Sequence, residues 1–197
     1  MRTPLLCFSA AITLSALSQV PGYVPTAGLV AWYPFNNSVV DASGNGLNGT
    51  ANGSGYTDSR FGDPDEAASF GGFAYDLVAT NTLFNTGTGM SVSAWVNLAD
   101  ASVNQKIIGR TNGSFNSGFI LGVQNSQMNP EVWNSSGTAH SFNAGSIASG
   151  VWTDLAITWA SSGYLIAYVN GVAVDSIATE AVPIGSNSEP LVIGGSP

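Results

Sequence analysis

Two apolar runs of strand-forming residues, Tyr164 to Val169 and Val172 to Asp175, are separated only by Asn170-Gly171. A two-residue type I′ turn needs positive φ at both central positions. Asn and Gly adopt that conformation at little cost, so the dipeptide predicts a tight hairpin and, with it, an antiparallel sheet. Such a turn also sets register. Val169 is expected opposite Val172, Ala167 opposite Val174 and Leu165 opposite Ser176, with Tyr168, Ile166, Ala173 and Asp175 on the other face. Upstream, Leu155, Ile157 and Trp159 share one face of a preceding strand by the two-residue period, and Trp152 stands where that strand enters. The expectation is β architecture with one face for a core and another wide enough to meet a ligand.

The chain starts Met1-Arg2-Thr3-Pro4, followed by an apolar run from Leu5 to Leu17 broken by Ser9, Thr13 and Ser15, and then Ser18-Gln19. A charged start, a short hydrophobic stretch and small residues at its end predict a secretory signal peptide over residues 1–18, cleaved before Gln19. The run is too short to cross a bilayer. The mature chain is therefore expected outside the cell or at its surface. Cys7 lies in the removed segment, which leaves an exported domain with no disulfides. Residues 19–27, with Pro21, Gly22 and Pro25, read as an extended leader.

What remains, roughly 180 residues, suits one β sandwich and is too short for two ordinary domains. With 24 glycines, only 8% charged residues and no segment of sustained helical period, short strands joined by turn-rich loops are expected. Strands are predicted at Gly28 to Phe35, Ala67 to Phe70, Tyr75 to Ala79, Met90 to Leu98, Lys106 to Arg110, Gly118 to Gln124, Glu131 to Asn134, Ala139 to Asn143 and Pro190 to Gly194, besides the hairpin. A formal net charge of -8 opposes binding to nucleic acid or to an anionic membrane.

Several motifs occur in order along the chain: Trp32-Tyr33-Pro34-Phe35, Asp41-x-Ser43-Gly44-Asn45-Gly46-x-Asn48-Gly49-Thr50, Ala68-Ser69-Phe70-Gly71-Gly72, Ser91-Val92-Ser93-Ala94-Trp95-Val96, Trp152-x-x-Leu155-Ala156-x-Thr158 and Tyr168-Val169-Asn170-Gly171. In this order the sequence over residues 28–197 resembles the laminin G-like jelly-roll domain of the concanavalin A-like lectin/glucanase superfamily. The resemblance implies an all-β, two-sheet antiparallel sandwich that is secreted and serves as a binding or adhesion module in larger surface proteins. Such domains usually close with a further strand of the form Gly-x-Ile-Asp-Asp-Val/Ile, which does not follow Leu191-Val192-Ile193-Gly194 here. The domain is thus expected to lack its last strand, with Leu29 to Phe35 left short of backbone partners.

Catalytic patterns are missing. Glycosidases on this fold resemble Glu-x-Asp-x-x-Glu on one strand, and no such triplet occurs; Asp63-Pro64-Asp65-Glu66 reads as a solvated turn. His140 is the single histidine and stands next to Ser141 and Phe142 in a strand pattern. No Gly-x-Ser-x-Gly elbow is present. The expectation is a protein without catalytic activity.

Binding residues are sought among aromatics next to amides, because sugar rings stack C–H faces on aromatic rings while their hydroxyls pair with amides. The resemblance implies core or strand-entry positions for Trp32, Trp95, Trp152 and Trp159. Phe115, Trp133 and Asn134 are the candidate ligand-binding residues, with loop packing as the alternative. The Asp41 to Thr50 loop has the carboxylate, amide and glycine content of a calcium site, a feature that the resemblance also implies near this loop. Asp41, Asn45 and Asn48 are the candidate ligands for Ca²⁺, and a set of Asx-type turns accounts equally well for the same residues. Glycan or a cell-surface protein is the expected partner. Two alternatives are a structural domain of a larger adhesin and an accessory binding module of a secreted glycan-degrading enzyme.

Overall fold

The computed structural model describes residues 19–111, 114 and 116–195; the signal peptide expected at 1–18 and the candidate Phe115 lie outside the described residues. The strands are β1 (Gly49–Asn52), β2 (Gly55–Thr57), β3 (Ala67–Ser69), β4 (Tyr75–Val78), β5 (Gly89–Val96), β6 (Gln105–Thr111), β7 (Gly118–Gln124), β8 (Gln127–Trp133), β9 (Ala139–Ser141), β10 (Ala144–Ser146), β11 (Thr153–Ala160), β12 (Tyr164–Val169), β13 (Val172–Ala178) and β14 (Leu191–Ile193), with one 3-10 turn at Thr82–Phe84. One sheet has the order β1-β4-β14-β6-β7-β8-β10, with β9 also pairing β8. A second has the order β13-β12-β11-β5, and β2 with β3 forms a separate ribbon. The ladders are antiparallel throughout.

Alternating residues of the two sheets meet in one core. The larger sheet contributes Val78, Phe119, Leu121, Val123, Met128 and Val132, and the smaller contributes Met90, Val96, Leu155, Ile157, Trp159, Leu165 and Ala167. Leu121, Leu155, Ile157 and Leu165 are each 0% exposed. Full burial of such a side chain is worth about 1.5–3 kcal/mol, so this two-residue periodicity is what drives the sandwich together. The all-β sandwich expected from the sequence is the observed fold.

The hairpin forms as expected, with φ of 50° at Asn170 and 75° at Gly171 and with Val169 opposite Val172. Its far end does not keep the expected register. Ala167 pairs with Asp175 and Leu165 with Ile177, because Val174 is an extra residue in β13. Val174, 37% exposed, lies near Gly145 of β10: a Cβ placed on Gly145 would meet Val169 Cγ2 at 2.9 Å and Val174 Cγ2 at 3.3 Å.

Gly28 to Phe35, predicted as a strand, has no ladder. Its polar groups are taken locally instead: Asp41 Oδ1 accepts from Trp32 N at 3.0 Å, Asn45 Nδ2 donates to the Leu29 and Val30 carbonyls at 2.9 Å each, and Ala42 N donates to Trp32 O at 2.8 Å. Phe35 turns with φ of 59° and closes the segment. Val30, Ala31 and Tyr33 still pack against the core. Conversely, β8 begins earlier than Glu131. A tight turn at Asn125 and Ser126, with φ of 52° and 60°, joins it to β7 without a glycine to mark it. Pro130 is accommodated inside β8 because its outer neighbours are interrupted there: β10 pairs Gln127 and Met128, β9 pairs Glu131 to Trp133, and the gap falls between them.

Asp76, on β4, is 1% exposed; Oδ1 takes a short hydrogen bond from Ser54 Oγ, while Oδ2 has no partner among the described residues. Burial raises its pKa and the Ser54 hydrogen bond opposes that rise. With the folded pKa above the unfolded value of about 3.9, the folded state binds the proton more tightly, so stability declines as pH rises through the folded pKa. Asp76→Asn is therefore expected to stabilise the protein at pH 7, on the order of 1–3 kcal/mol, with the gain vanishing below about pH 4. Thermal unfolding of both forms at the two pH values measures it. A variant that is less stable at pH 7 would show that the carboxylate has a partner in solution.

Candidate functional site

Three loops meet at the end of the sandwich where β5 begins and β11 ends: the β6–β7 connection, the β8–β9 turn and the segment 179–190. They enclose a cleft of about 560 Å³ whose walls carry Asn116, Ser117, Ser135, Ser136, Asn187 and Glu189, with Gly137 and Gly185 leaving the backbone open. Ser135, Ser136, Ser186 and Ser188 are exposed along it.

The walls are built from local chemistry. Asn134 is 1% exposed; its Oδ1 accepts from the Ser136 and Thr138 amides at 3.0 and 2.9 Å, and its Nδ2 donates to Glu180 Oε2 at 2.9 Å. One amide therefore shapes the 134–138 turn and ties it to the 179–190 segment. Backbone bonds from Ser135 N to Pro183 O and from Gly185 N to Trp133 O complete the seam. Gly185 is required there, since a Cβ would stand 2.8 Å from that of Ser117.

Beneath the opposite wall lies Arg110, 2% exposed. Its Nε donates to Glu189 O at 2.9 Å, Nη1 to Asn85 Oδ1 at 2.8 Å, and Nη2 makes a short bond to Asn187 O. Asn187 in turn donates to Ser117 O and Oγ at 3.3 Å and accepts from Glu189 N at 3.1 Å. Gly118, with φ of 101°, makes room: a Cβ there would fall 1.7 Å from the Arg110 carbonyl oxygen. A buried guanidinium is thus spent on holding loop carbonyls, which fixes the cleft before any ligand arrives. No local pattern in the sequence distinguishes Arg110 from a surface arginine; the signal is its place at an inward position late in β6.

Of the expected ligand-binding residues, Trp133 is 7% exposed and Asn134 is 1% exposed, so both stand under the cleft. Asn134 holds the turn with its Oδ1 and Glu180 with its Nδ2, and burial leaves neither side chain in the walls. His140 is 7% exposed, opposite Val132 on β9.

Asp41, Asn45 and Asn48 are brought together, as hydrogen-bonding groups. Asp41 Oδ1 accepts from Trp32 N and Ser43 N, Oδ2 accepts from Ser43 Oγ and Leu47 N, and Asn48 Oδ1 accepts from Asp41 N, all at 2.8–3.0 Å. Burial raises the Asp41 pKa, but the hydrogen bonds from Trp32, Ser43 and Leu47 outweigh it and hold the carboxyl below the usual carboxylate value. Four donors already occupy the oxygens a calcium ion would need, and among the described residues no three acidic, histidine or cysteine side chains gather around a common point. The residues present fit the Asx-turn alternative and do not fit calcium.

A smaller hollow of about 190 Å³ lies on the outer face of the larger sheet, between Lys106 and Glu131. Burial lowers the Lys106 pKa and raises that of Glu131, and each opposes the other's shift.

Solved structures with this fold include the binding domain of Paraclostridial Mosquitocidal Protein 1, at 15% identity and a TM-score of 0.66, covering 81% of this chain and 42% of that one. Another is botulinum neurotoxin type C, whose cell entry depends on interaction with two ganglioside molecules, at 16% identity and a TM-score of 0.64, covering 86% and 43%. A third is the binding domain of botulinum neurotoxin DC in complex with rat synaptotagmin II, at 16% identity and a TM-score of 0.59, covering 84% and 43%. The chain thus spans less than half the length of these neighbours, and at such identity the likeness concerns the fold. No match is found among curated proteins. The family model described as the concanavalin A-like lectin/glucanases superfamily, laminin G type, matches residues 70–197, about two thirds of the chain. A sandwich of two antiparallel sheets, together with a match of that extent, makes the chain a member of the concanavalin A-like lectin/glucanases superfamily.

Proposed function

We propose that the chain is an exported, non-catalytic recognition module that binds a glycan in the loop cleft. The observation that carries this reading is the cleft itself: about 560 Å³ of space walled by serine hydroxyls, asparagine amides and one glutamate, fixed from below by Arg110 and Asn134. Hydroxyls and amides, which both donate and accept, are what sugar hydroxyls pair with, and a preformed wall spares the ligand the entropy of ordering it. Phe115 is the aromatic this reading assigns to the sugar face. Neighbours that are toxin binding domains support a binding role over a catalytic one. The synaptotagmin complex of one neighbour makes a cell-surface protein the second reading. Among the described residues no helix is long and apolar enough to cross a membrane.

An open polar cleft gives weak single-site binding, so a clustered form of the domain on a broad glycan array is the appropriate probe. Binding to a defined subset of glycans is expected. Asn187→Ala, which removes the amide that ties Ser117 to Glu189 and so loosens the wall, should lower that signal about tenfold. Blank wells throughout would overturn the glycan reading and leave the protein-partner reading to be tested by capture on synaptotagmin-like ectodomains.

A further inference from the structure

At the other end of the smaller sheet from the cleft, the outer face carries Trp95 on β5 and its cross-strand partner Asp154 on β11, next to the Asn170-Gly171 turn. Over them lies Arg60. Its guanidinium carbon is 4.0 Å from the Trp95 ring centroid and 4.4 Å from that of Phe61. Phe61 is 76% exposed and Trp95 is 45% exposed. The described cations are used differently: Arg110 is buried against carbonyls, Lys106 faces Glu131, and the Arg60 guanidinium makes no hydrogen bond to another described residue.

We infer that Arg60, Phe61 and Trp95 form a second site, for the anionic group of an acidic sugar. Stacking on aromatic rings occupies the flat faces of a guanidinium and restricts its rotation, while the N–H edge stays free in the fork geometry that matches a carboxylate or sulfate. The exposed rings next to it offer C–H stacking to the pyranose that carries the anion. Asp154 lies on the neighbouring strand, close enough to interact electrostatically with Arg60 but not bonded to it, and opposes an incoming anion. The site shares no residue with the loop cleft and does not rest on glycan binding there.

The test uses ligand-observed NMR of the full chain with sialyllactose as the carboxylate probe, a sulfated disaccharide as the sulfate probe and lactose as the neutral control. One or both acidic probes are expected to bind and lactose not, with affinity falling as salt rises. Arg60→Gln should weaken acidic binding about tenfold, Arg60→Lys should recover only part of it, and Asp154→Asn should tighten it severalfold. Asn187→Ala in the cleft should leave it unchanged, so failure here and failure of the cleft reading are separable. Equal binding of lactose, wild-type affinity in Arg60→Gln, no binding of either acidic probe at 10-millimolar order, or equal binding of an Asp-rich peptide would each overturn the assignment.

Discussion

Asp41→Ala is expected to lower the thermal midpoint by about 6–12 °C, the equivalent of about 3 kcal/mol in a domain of this size. Three backbone N–H groups, buried at Leu47 and part-buried at Trp32 and Ser43, lose a charged acceptor together, and a buried donor left unpaired costs on the order of 1–3 kcal/mol, a part-buried one less. The loss spreads beyond the loop, because Trp32 belongs to the segment whose neighbours Val30, Ala31 and Tyr33 pack on the core. Sign and pH follow from the lowered carboxyl pKa. The stabilisation is fully present above the unfolded value of about 3.9 and is lost as pH falls through the folded pKa, so wild type and variant converge in acid. Asp41→Asn keeps an acceptor for two of the donors but turns an NH₂ toward the Leu47 amide, and should fall between the two. EDTA and millimolar calcium should leave the wild-type midpoint unchanged. A calcium-dependent rise that disappears in Asp41→Ala would show instead that the loop opens to admit a cation.

What was legible in the sequence and what was not divide along the range of the interactions. The Asn170-Gly171 turn, the inward face of Leu155, Ile157 and Trp159, and the strand at Gly118 to Gln124 are properties of neighbours a few residues apart, and all appear where expected. The slip at Val174 is recorded by no pattern within the hairpin. Leu29 to Phe35 has the composition of a strand and is not one, because Asp41 and Asn45, about ten to fifteen residues on, take the backbone groups a ladder would use. The site follows the same rule. Trp133 and Asn134 are singled out by residue type and lie beneath the proposed cleft, while their burial is decided by Ile184, Glu180 and the backbone of Pro183. Phe61 and Trp95 meet across separate segments through Arg60, a contact with no trace in either segment alone.

The same division explains why the two proposed sites lie at opposite ends of one sheet. Strand residues of a sandwich are committed to the core on one face, so specificity has to come from what the loops bring together at strand ends. At one end the loops converge as hydroxyls and amides around neutral space, and at the other a single cation stands over aromatic rings. A ligand with a neutral sugar and an acidic terminus would meet the two with different groups.

Arg110→Met should be among the most damaging substitutions at either site, and for a reason distinct from Asp41. Methionine keeps much of the apolar stem beside Phe84, whose ring centroid lies 5.8 Å from the guanidinium carbon, but supplies none of the donors. The Glu189 and Asn187 carbonyls and the Asn85 amide oxygen then lose their partner. Leaving these acceptors without their charged donor costs about 1–3 kcal/mol, more than the stem recovers. Stability alone would not separate this from an ordinary core defect, so hydrogen exchange decides. Amides of residues 185–190 and Ser117 should lose protection by a larger factor than those of β11 and β12, because the wall opens locally before the sandwich unfolds. Glycan binding in the cleft should disappear at temperatures where the variant is still folded, while acidic-sugar binding at Arg60 persists. Arg110→Lys retains the charge but not the fork, and should restore part of the stability without restoring the wall. If instead protection falls uniformly across both sheets and cleft binding survives in the folded fraction, Arg110 is a core residue that happens to touch the loop, and the cleft must be held by Asn134 and Asn187 alone.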